Sequence, residues 1–293
     1  MKTAFLFSGQ GSQYVGMGKE LNTNPIAQKV FAKANEALGF SITDIMFDGP
    51  EMTLIETRYT QPAILTLSIA IYEILKDRGI EPEMVAGLSL GEYGALYAAG
   101  VIDLGTTVRL VHKRGKLMEV GNEDIETAMY AVISTNKKQI EEICEEVEGI
   151  VEVANYNCKG QIVLAGEKTA VVQAIALLKE QKIRAIPLKV SGAFHTSLLK
   201  PAGDELKKLL NKTEMHVPII PVLANVTGTF YQSDVEGIKN LLAQQVYSTV
   251  QFETELVEMA KAGIERFIEI GPKNTLTSFV NKTLDNVEAI ETD

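Results

Sequence analysis

The chain has 293 residues, of which 46% are hydrophobic and 23% charged, a composition typical of a folded protein and not of a disordered one. Its 28 basic and 38 acidic side chains give a net charge of −10, which argues against nonspecific binding to nucleic acid. The length fits about two domains or one large α/β domain.

Cysteine content and hydropathy indicate the cellular compartment. The cysteines, Cys144 and Cys158, do not form a CxxC motif and cannot staple a chain of this size, so we expect a reducing environment. The apolar run at residues 3–7 is too short for the hydrophobic region of a signal peptide, and no run approaches the ~20 apolar residues of a membrane span. We therefore expect a cytoplasmic protein that binds neither membranes nor nucleic acid.

Strands and helices are predicted to alternate in the first part of the chain. Residues 3–7 form a short apolar run stopped by glycine, which is typical of a buried strand. Apolar residues at helical spacing predict a helix over 61–77, and a short strand follows at 84–87. A small-residue helix over 91–99 and a second helix over 106–120 come next. Such alternation predicts a parallel sheet with helices on its faces.

The order of elements changes in the middle of the chain, where the pattern reads β-α-β-β-α-β. The predicted elements lie at residues 128–134, 137–147, 151–156, 161–165, 169–180 and 183–190. This order is the ferredoxin-like pattern. We expect a small α+β unit inserted at residues 126–191.

The strand–helix alternation resumes after the insert. Strands are predicted at 219–225 and 266–270, and helices over 235–247 and 252–262. The sequence thus predicts an α/β core formed by residues 1–125 and 192–293, which the insert divides.

The sharpest local signal is Gly87-Leu88-Ser89-Leu90-Gly91, a G-x-S-x-G between a predicted strand and a predicted helix. A nucleophile elbow needs this context, because the turn is sharp and the neighbouring backbone must approach closely. The N-terminus of the following helix could stabilise an oxyanion. The alternative is a glycine-containing turn without chemistry, and the strand and helix on either side favour the nucleophile.

A serine nucleophile needs a base, and the chain has 3 histidines. His112 lies in a predicted helix beside two cations, and His216 lies in a polar connection where it can be a solvated loop residue. His195 follows the junction at which the insert rejoins the core, and such junctions often hold active-site clefts. Elimination favours His195 as the base, and no acidic third member can be assigned.

The glycine-rich segment after the first strand does not fit a nucleotide-binding motif. Tyr14 stands where a dinucleotide fingerprint needs its third glycine, and Met17 stands where a P-loop needs lysine. The backbone N–H groups of this segment still lie at the sheet edge where α/β proteins place ligands. No His/Cys/Asp cluster has metal-ligand spacing, so we expect no metal site.

With these features the chain resembles the malonyl-CoA:acyl-carrier-protein transacylases, a family that includes the acyltransferase domains of polyketide synthases. The resemblance extends from Phe5 to about Leu276. The segments that carry it are Phe7-Ser8-Gly9-Gln10-Gly11-Ser12-Gln13, Thr60-Gln61-Pro62-Ala63, Gly87-Leu88-Ser89-Leu90-Gly91-Glu92-Tyr93, Arg114-Gly115 with Met118, Gly192-Ala193-Phe194-His195, Asn225-Val226-Thr227-Gly228 and Glu269-Ile270-Gly271-Pro272. The fold that the resemblance implies is a hydrolase-like core with a ferredoxin-like insert.

The resemblance also implies roles for the catalytic groups. Ser89 would be the nucleophile that takes the acyl group from coenzyme A, and His195 would accept its proton and later activate the phosphopantetheine thiol. The histidine would be oriented by a backbone carbonyl, that of Gln245, which explains the missing acidic residue. The oxyanion hole would be formed by the backbone N–H groups of Gln10 and Leu90.

The resemblance further implies how the acyl group is bound. Arg114 would clamp the free carboxylate of malonate, because a planar guanidinium binds a carboxylate bidentately; without the resemblance, a solvated helix-face cation would be favoured. Gln61 would help to orient Arg114 or the malonyl group, and the bulk of Phe194 would crowd a 2-methyl branch. Two residues depart from the family: Leu88 replaces the usual histidine before the serine, and Ser8 replaces a proline found in many members.

The expected activity is malonyl transfer from malonyl-CoA to the thiol of acyl carrier protein through a malonyl-serine intermediate. The coenzyme A thioester is a substrate, and we expect no cofactor and a monomeric enzyme. The alternatives are an acyl hydrolase that edits carrier proteins, which would not need Arg114, and a catalytically silent docking module, which would not need Ser89 and His195. The sequence leaves open whether the pathway makes fatty acids or polyketides and which other acyl groups are tolerated.

Overall fold

A computed structural model describes residues 1–121, 125–190 and 192–292 of the chain. Its strands are β1 (Thr3–Phe7), β2 (Met84–Gly87), β3 (Thr127–Ile133), β4 (Val151–Cys158), β5 (Gln161–Glu167), β6 (Arg184–Pro187), β7 (Leu223–Ala224), β8 (Thr229–Phe230), β9 (Arg266–Ile270) and β10 (Glu288–Ile290). Its helices are α1 (Pro25–Leu38), α2 (Ile42–Asp48), α3 (Glu51–Leu54), α4 (Thr57–Asp77), α5 (Gly91–Ala98), α6 (Leu104–Val120), α7 (Lys137–Glu146), α8 (Lys168–Glu180), α9 (Lys200–Asn211), α10 (Val235–Gln245), α11 (Phe252–Lys261) and α12 (Thr275–Thr283).

The core is built on a parallel sheet with the strand order β10-β9-β1-β2. All five residues of β1 are buried, because this strand lies inside the sheet and is covered on both faces. At its C-terminal end Phe7 pairs with Gly87 of β2 and with Ile270 of β9. The parallel α/β core predicted from the sequence is confirmed, and the ends of these strands position the candidate site.

The insert is an antiparallel sheet with the strand order β4-β5-β3-β6, against which α7 and α8 pack. This order and the β-α-β-β-α-β connectivity confirm the ferredoxin-like pattern. The sheet is joined to the core at Val250, whose N–H donates to Ala154 and whose carbonyl accepts from Tyr156, both at 2.9 Å. Residue 191, the predicted end of the insert, lies outside the described residues.

The predicted strand at residues 219–225 is mostly irregular backbone. Pro218 and Pro221 lack the N–H that a strand ladder needs, and Ile219 is exposed. Val222 makes an isolated parallel bridge with Val85 of β2, and only Leu223–Ala224 is strand. This connection runs alongside β2 and ends next to the turn that carries Ser89.

Candidate active site

Ser89 lies in the tight connection between β2 and α5, the strand–turn–helix context that the sequence predicts. Its φ of 53° is in the left-handed region. A Cβ at Gly91 would lie 2.0 Å from the carbonyl oxygen of Phe7, and a Cβ at Gly87 would lie 2.0 Å from the carbonyl carbon of Gly91. Both glycines are required by this close approach, which sets Ser89 at the C-terminal edge of the sheet.

His195 contacts the serine. Its Nε2 lies 2.8 Å from Ser89 Oγ, and its Nδ1 lies 2.6 Å from the carbonyl oxygen of Gln245. Because a carbonyl can only accept, Nδ1 carries the proton and Nε2 is free to accept from the serine hydroxyl. Burial, and then the charge of Arg114, lowers the pKa of His195 to about 3. The imidazole is therefore neutral at neutral pH, as a general base must be.

Arg114 is fully buried on α6, immediately beside the serine. Its Nη2 donates to Ser89 Oγ at 3.1 Å and to Gln245 Oε1 at 2.8 Å, while Nη1 donates to Gln61 Oε1 at 2.8 Å. The ring of Tyr93 lies 5.5 Å from its Cζ. All three hydrogen-bond acceptors are neutral oxygens, and no carboxylate among the described residues forms an ion pair with the guanidinium. Its charge is therefore available to an anion next to the nucleophile.

Gln61 links the arginine to the glycine-rich loop after β1. Its Oε1 accepts from Arg114, while its Nε2 donates to Gln10 Oε1 at 3.3 Å. Gln10 Nε2 donates in turn to Thr57 Oγ1 at 3.1 Å, at the start of α4. The loop and α4 together fix one side of the guanidinium.

The two backbone amides expected at the oxyanion hole belong to segments that pack directly on each other. A Cβ at Gly9 would lie 2.6 Å from the carbonyl oxygen of Leu88, so the loop after β1 lies against the serine turn. Within the described part of the chain, the N–H groups of Gln10 and Leu90 have no hydrogen-bond partner. They are therefore available to an oxygen bound near Ser89.

A cavity of about 120 Å³ opens between the core and the insert at the serine. Ser89, His195 and Phe194 line it from the core side, and Met129 and Asn157 line it from the insert. A second cavity of about 200 Å³ shares four of its lining residues, which are Gln10, Leu88, Asn157 and Leu188. The two form one cleft that leads to the nucleophile, whereas a larger cavity of about 430 Å³ near Tyr72 includes none of the predicted site residues.

The other two histidines lie away from this site. His112 Nδ1 lies 2.7 Å from the carbonyl oxygen of Arg58, and its ring packs against Phe40 and Tyr59. His216 is exposed, 4.0 Å from Glu214. The structure therefore places only His195 of the three against Ser89.

A buried network beneath the serine was not predicted from the sequence. Glu92 accepts from Tyr231, from the N–H of Asn225 and from Gln245 Nε2, and all four residues are buried. Glu92 and Asn225 stand in the segments that carry the family resemblance, but the partners are far apart in the chain. No local pattern could have assigned them a common role.

The described residues contain neither a metal-binding cluster nor a membrane-spanning helix. No group of three or more His, Cys, Asp or Glu side chains among residues 1–121, 125–190 and 192–292 could hold a metal ion. In the same residues no helix combines the length and the apolar character that crossing a membrane requires.

Residues 4–293 match the family model described as the acyl transferase domain. The chain is 41% identical over 294 residues to the malonyl CoA-acyl carrier protein transacylase of Bacillus subtilis, covering 99% of this chain and 92% of that protein. It is 40% identical over 291 residues to the enzyme of the same name from Escherichia coli K12, covering 98% of this chain and 94% of that protein.

Solved structures of similar proteins superpose closely. The malonyl CoA-acyl carrier protein transacylase of Clostridium perfringens aligns with a TM-score of 0.96 and 42% identity, over 100% of this chain and 93% of that one. A malonyl-transacylase solved in complex with a type II PKS acyl-carrier protein also aligns with a TM-score of 0.96, at 37% identity, over 100% of this chain and 96% of that one.

Proposed function

The chain belongs to the acyl transferase domain family, and we propose that it transfers a malonyl group from malonyl-CoA to the phosphopantetheine thiol of an acyl carrier protein. The relatives named above carry this activity in their names, and one similar structure holds a carrier protein. The site described here supports the same reaction through a malonyl-serine intermediate.

The observation that carries the proposal is the position of Arg114. A fully buried guanidinium, whose Nη2 lies 3.1 Å from Ser89 Oγ and whose hydrogen-bond acceptors are neutral oxygens, places a positive charge next to the nucleophile. A malonyl group has a free carboxylate that can bind this charge bidentately, whereas an acetyl group would leave it unpaired. The site is therefore suited to an acyl group that carries its own carboxylate.

The first half-reaction loads the serine. Ser89 Oγ attacks the thioester carbonyl carbon while His195 Nε2 takes the hydroxyl proton. The negative oxygen that forms is bound by the N–H groups of Gln10 and Leu90. When the carbon–sulfur bond breaks, the sulfur of coenzyme A takes the proton from Nε2 and leaves, and the malonyl group stays on Ser89 as an ester.

The second half-reaction reverses these roles. The phosphopantetheine thiol gives its proton to His195 Nε2 and its sulfur attacks the ester carbon. The same two N–H groups hold the oxyanion, and Ser89 Oγ leaves with the proton. The bonds made and broken balance without any oxidant, metal or additional cofactor.

Binding of the malonyl carboxylate also changes the basicity of His195. After burial, the charge of Arg114 is the second cause that lowers the pKa of the imidazole. A bound carboxylate neutralises that charge and raises the pKa of His195, which makes proton transfer from Ser89 easier. Binding of a malonyl group therefore makes the attack of Ser89 on that group easier.

The cleft also contributes to acyl selection. Phe194 lines the cavity beside Ser89, and its bulk would crowd a 2-methyl branch. Leu88 lines both parts of the cleft but, unlike the histidine usual in the family, offers no side-chain hydrogen bond there. Gln61 orients Arg114 through the 2.8 Å hydrogen bond.

We also propose an oligomeric state and a cellular compartment for the protein. Since one chain supplies every group in the mechanism, we propose a monomer that needs only malonyl-CoA and acyl carrier protein. Cys144 and Cys158 are both free thiols, which is consistent with a reducing cytoplasm.

The nucleophile is tested by intact-protein mass after incubation with malonyl-CoA. We expect the wild-type protein to gain one malonyl group, and Ser89→Ala to gain none because the attacking oxygen is gone.

The matched control is Ser68→Ala, which removes a buried hydroxyl of α4 that has no partner among the described residues. This variant should label like the wild type. Labelling of Ser89→Ala, or a wild-type protein that never labels, would contradict the proposed function.

A further inference from the structure

The backbone of Ser89 is held by two side chains on opposite sides. Its N–H donates to Asn225 Oδ1 at 2.7 Å, and its carbonyl accepts from Gln245 Nε2 at 2.8 Å. A left-handed φ is costly for a residue with a side chain, and it persists only where the surroundings determine it. These two amides therefore determine where Ser89 Oγ points.

Asn225 spans the serine turn. Besides accepting from Ser89, its side chain donates through Nδ2 to the carbonyl of Gly87 at 2.7 Å. Its own backbone N–H donates to Glu92 Oε1 at 3.1 Å. The asparagine thus ties the end of β2 to the serine and is itself tied to Glu92.

Gln245 contacts Ser89, His195 and Arg114, the three residues whose side chains act in the proposed reaction. Its side chain accepts from Arg114 Nη2 at 2.8 Å and donates to the carbonyl of Ser89, and its backbone carbonyl receives His195 Nδ1. The second proton of its Nε2 goes to Glu92 Oε2. A change in the orientation of this amide would disturb the arginine and the serine together.

Hydrogen-bond polarity determines that orientation. Arg114 can only donate, so Gln245 must present its oxygen to the arginine and its NH2 group to the opposite side. On that side an ionised Glu92 can only accept, and it also accepts from Tyr231 Oη at 2.5 Å. A group that donates at position 92 would face a donor of Gln245 and favour a flip that turns NH2 toward Arg114.

We propose that Glu92 is a positioning residue for malonyl transfer. Its carboxylate fixes Gln245 and Asn225, which in turn hold Ser89, Arg114 and His195 in position. The inference rests on the proposed function, since it concerns the same site. Glu92 itself is buried and is not among the residues that line the cavity at Ser89.

The protonation of Glu92 gives this role a signature. Burial raises the pKa of Glu92 to about 7, and the hydrogen bond from Tyr231 lowers it. The titratable and charged groups that face Glu92 are Tyr93, Arg114, Tyr231 and Glu255. A protonated Glu92 presents a donor, as glutamine would. The hydrogen bonds that hold Gln245 and Asn225 should therefore be complete only at a pH above this pKa. His195, with its pKa near 3, does not titrate in the same range.

The test is the pH profile of kcat/KM for malonyl-enzyme formation, which reports the free enzyme. In the wild type we expect kcat/KM to fall as the pH drops below about 7. Glu92→Gln should be slower by about tenfold to a hundredfold above that pH, as for a buried donor left unpaired, and its profile should be flat.

A second variant keeps the test decisive if Glu92→Gln folds poorly. Tyr231→Phe removes a hydrogen bond that lowers the pKa of Glu92 and leaves the contact to Gln245 in place. In this variant the fall of kcat/KM at acidic pH should begin at a higher pH than in the wild type. At alkaline pH its kcat/KM should stay close to the wild-type value.

The matched control is Glu255→Gln. Glu255 is also fully buried, but among the described residues its Oε1 accepts only from Asn225 Nδ2, at 2.8 Å, and glutamine keeps an accepting oxygen there. We expect a rate within about threefold of the wild type, since the accepting oxygen is kept.

Two results would overturn the proposal: equal losses in Glu92→Gln and Glu255→Gln, or an acidic limb that persists in Glu92→Gln. A wild-type protein that does not label at all would instead contradict the proposed function, so the two failures can be told apart.

Discussion

In the proposed reaction, Arg114 is the residue that separates malonyl transfer from transfer or hydrolysis of neutral acyl groups. A buried guanidinium is costly unless a partner balances it, and the oxygens of Gln61, Gln245 and Ser89 that surround it are neutral. We propose that the malonyl carboxylate binds this guanidinium and so offsets the charge that, after burial, lowers the pKa of His195. Selectivity therefore arises in binding and in proton transfer together.

At this scale we expect Arg114→Ala to lower kcat/KM for malonyl-CoA by about a hundredfold or more, because a desolvated charge pair is lost. With acetyl-CoA, which makes no such pair, the loss should be far smaller. The measurement is the ratio of the two kcat/KM values.

Arg109→Ala is the control for that prediction, since Arg109 is an exposed arginine of the same helix. Its ratio should equal that of the wild type. An equal loss with both thioesters in Arg114→Ala would contradict the carboxylate clamp.

Residues with a local signature could be predicted from the sequence. Ser89 stands in a G-x-S-x-G between strand and helix, and His195 follows from elimination among few histidines. The backbone carbonyl of Gln245 and the arginine came only from the family resemblance. Glu92 and Tyr231 meet across 139 positions of chain, and no local pattern reports a contact of that kind.

At the scale of elements, the strands and helices that could be predicted are those whose apolar residues form a short run or recur at a regular spacing. The strand at 266–270 is a short apolar run with four of its five residues buried, and α7 of the insert buries Ile140 and Ile143 at helical spacing. The strand predicted at 219–225 is mostly irregular backbone, because Pro221, and Pro218 just before it, have no N–H to donate to a strand ladder. The limits of the insert at 126–191 remain our proposal.

The serine turn is an element whose sequence is dictated by contact with its neighbour. We expect Gly91→Ala to lower the free energy of unfolding by about 3 kcal/mol or more, because its Cβ would lie 2.0 Å from the Phe7 carbonyl oxygen. Chemical denaturation measures this loss.

Gly105→Ala is the matched change in the first turn of α6, where the nearest atom to the new Cβ is 3.4 Å away. It should be neutral or stabilising by up to about 1 kcal/mol, since alanine is the better helix former. Equal effects of the two substitutions would contradict the packing explanation of the elbow.

At the scale of the whole molecule, a chain of net charge −10 has to bind anionic substrates. The cleft lies where the ferredoxin-like insert faces the parallel-sheet core, and the exposed Lys159 and Lys189 flank its lining residues Asn157, Leu188 and Val190. We propose that these local cations offset the overall charge for the phosphates of coenzyme A and for a carrier protein. Residues of both the insert and the core therefore line the cleft at the serine.

The most direct test of the central claim is a chase of preformed malonyl-enzyme. The protein is loaded with malonyl-CoA, freed of coenzyme A and mixed with carrier protein that bears phosphopantetheine, and both proteins are followed by intact mass. The account predicts that the malonyl mass leaves the enzyme and appears on the carrier protein. Release of free malonate with an unlabelled carrier protein would contradict it.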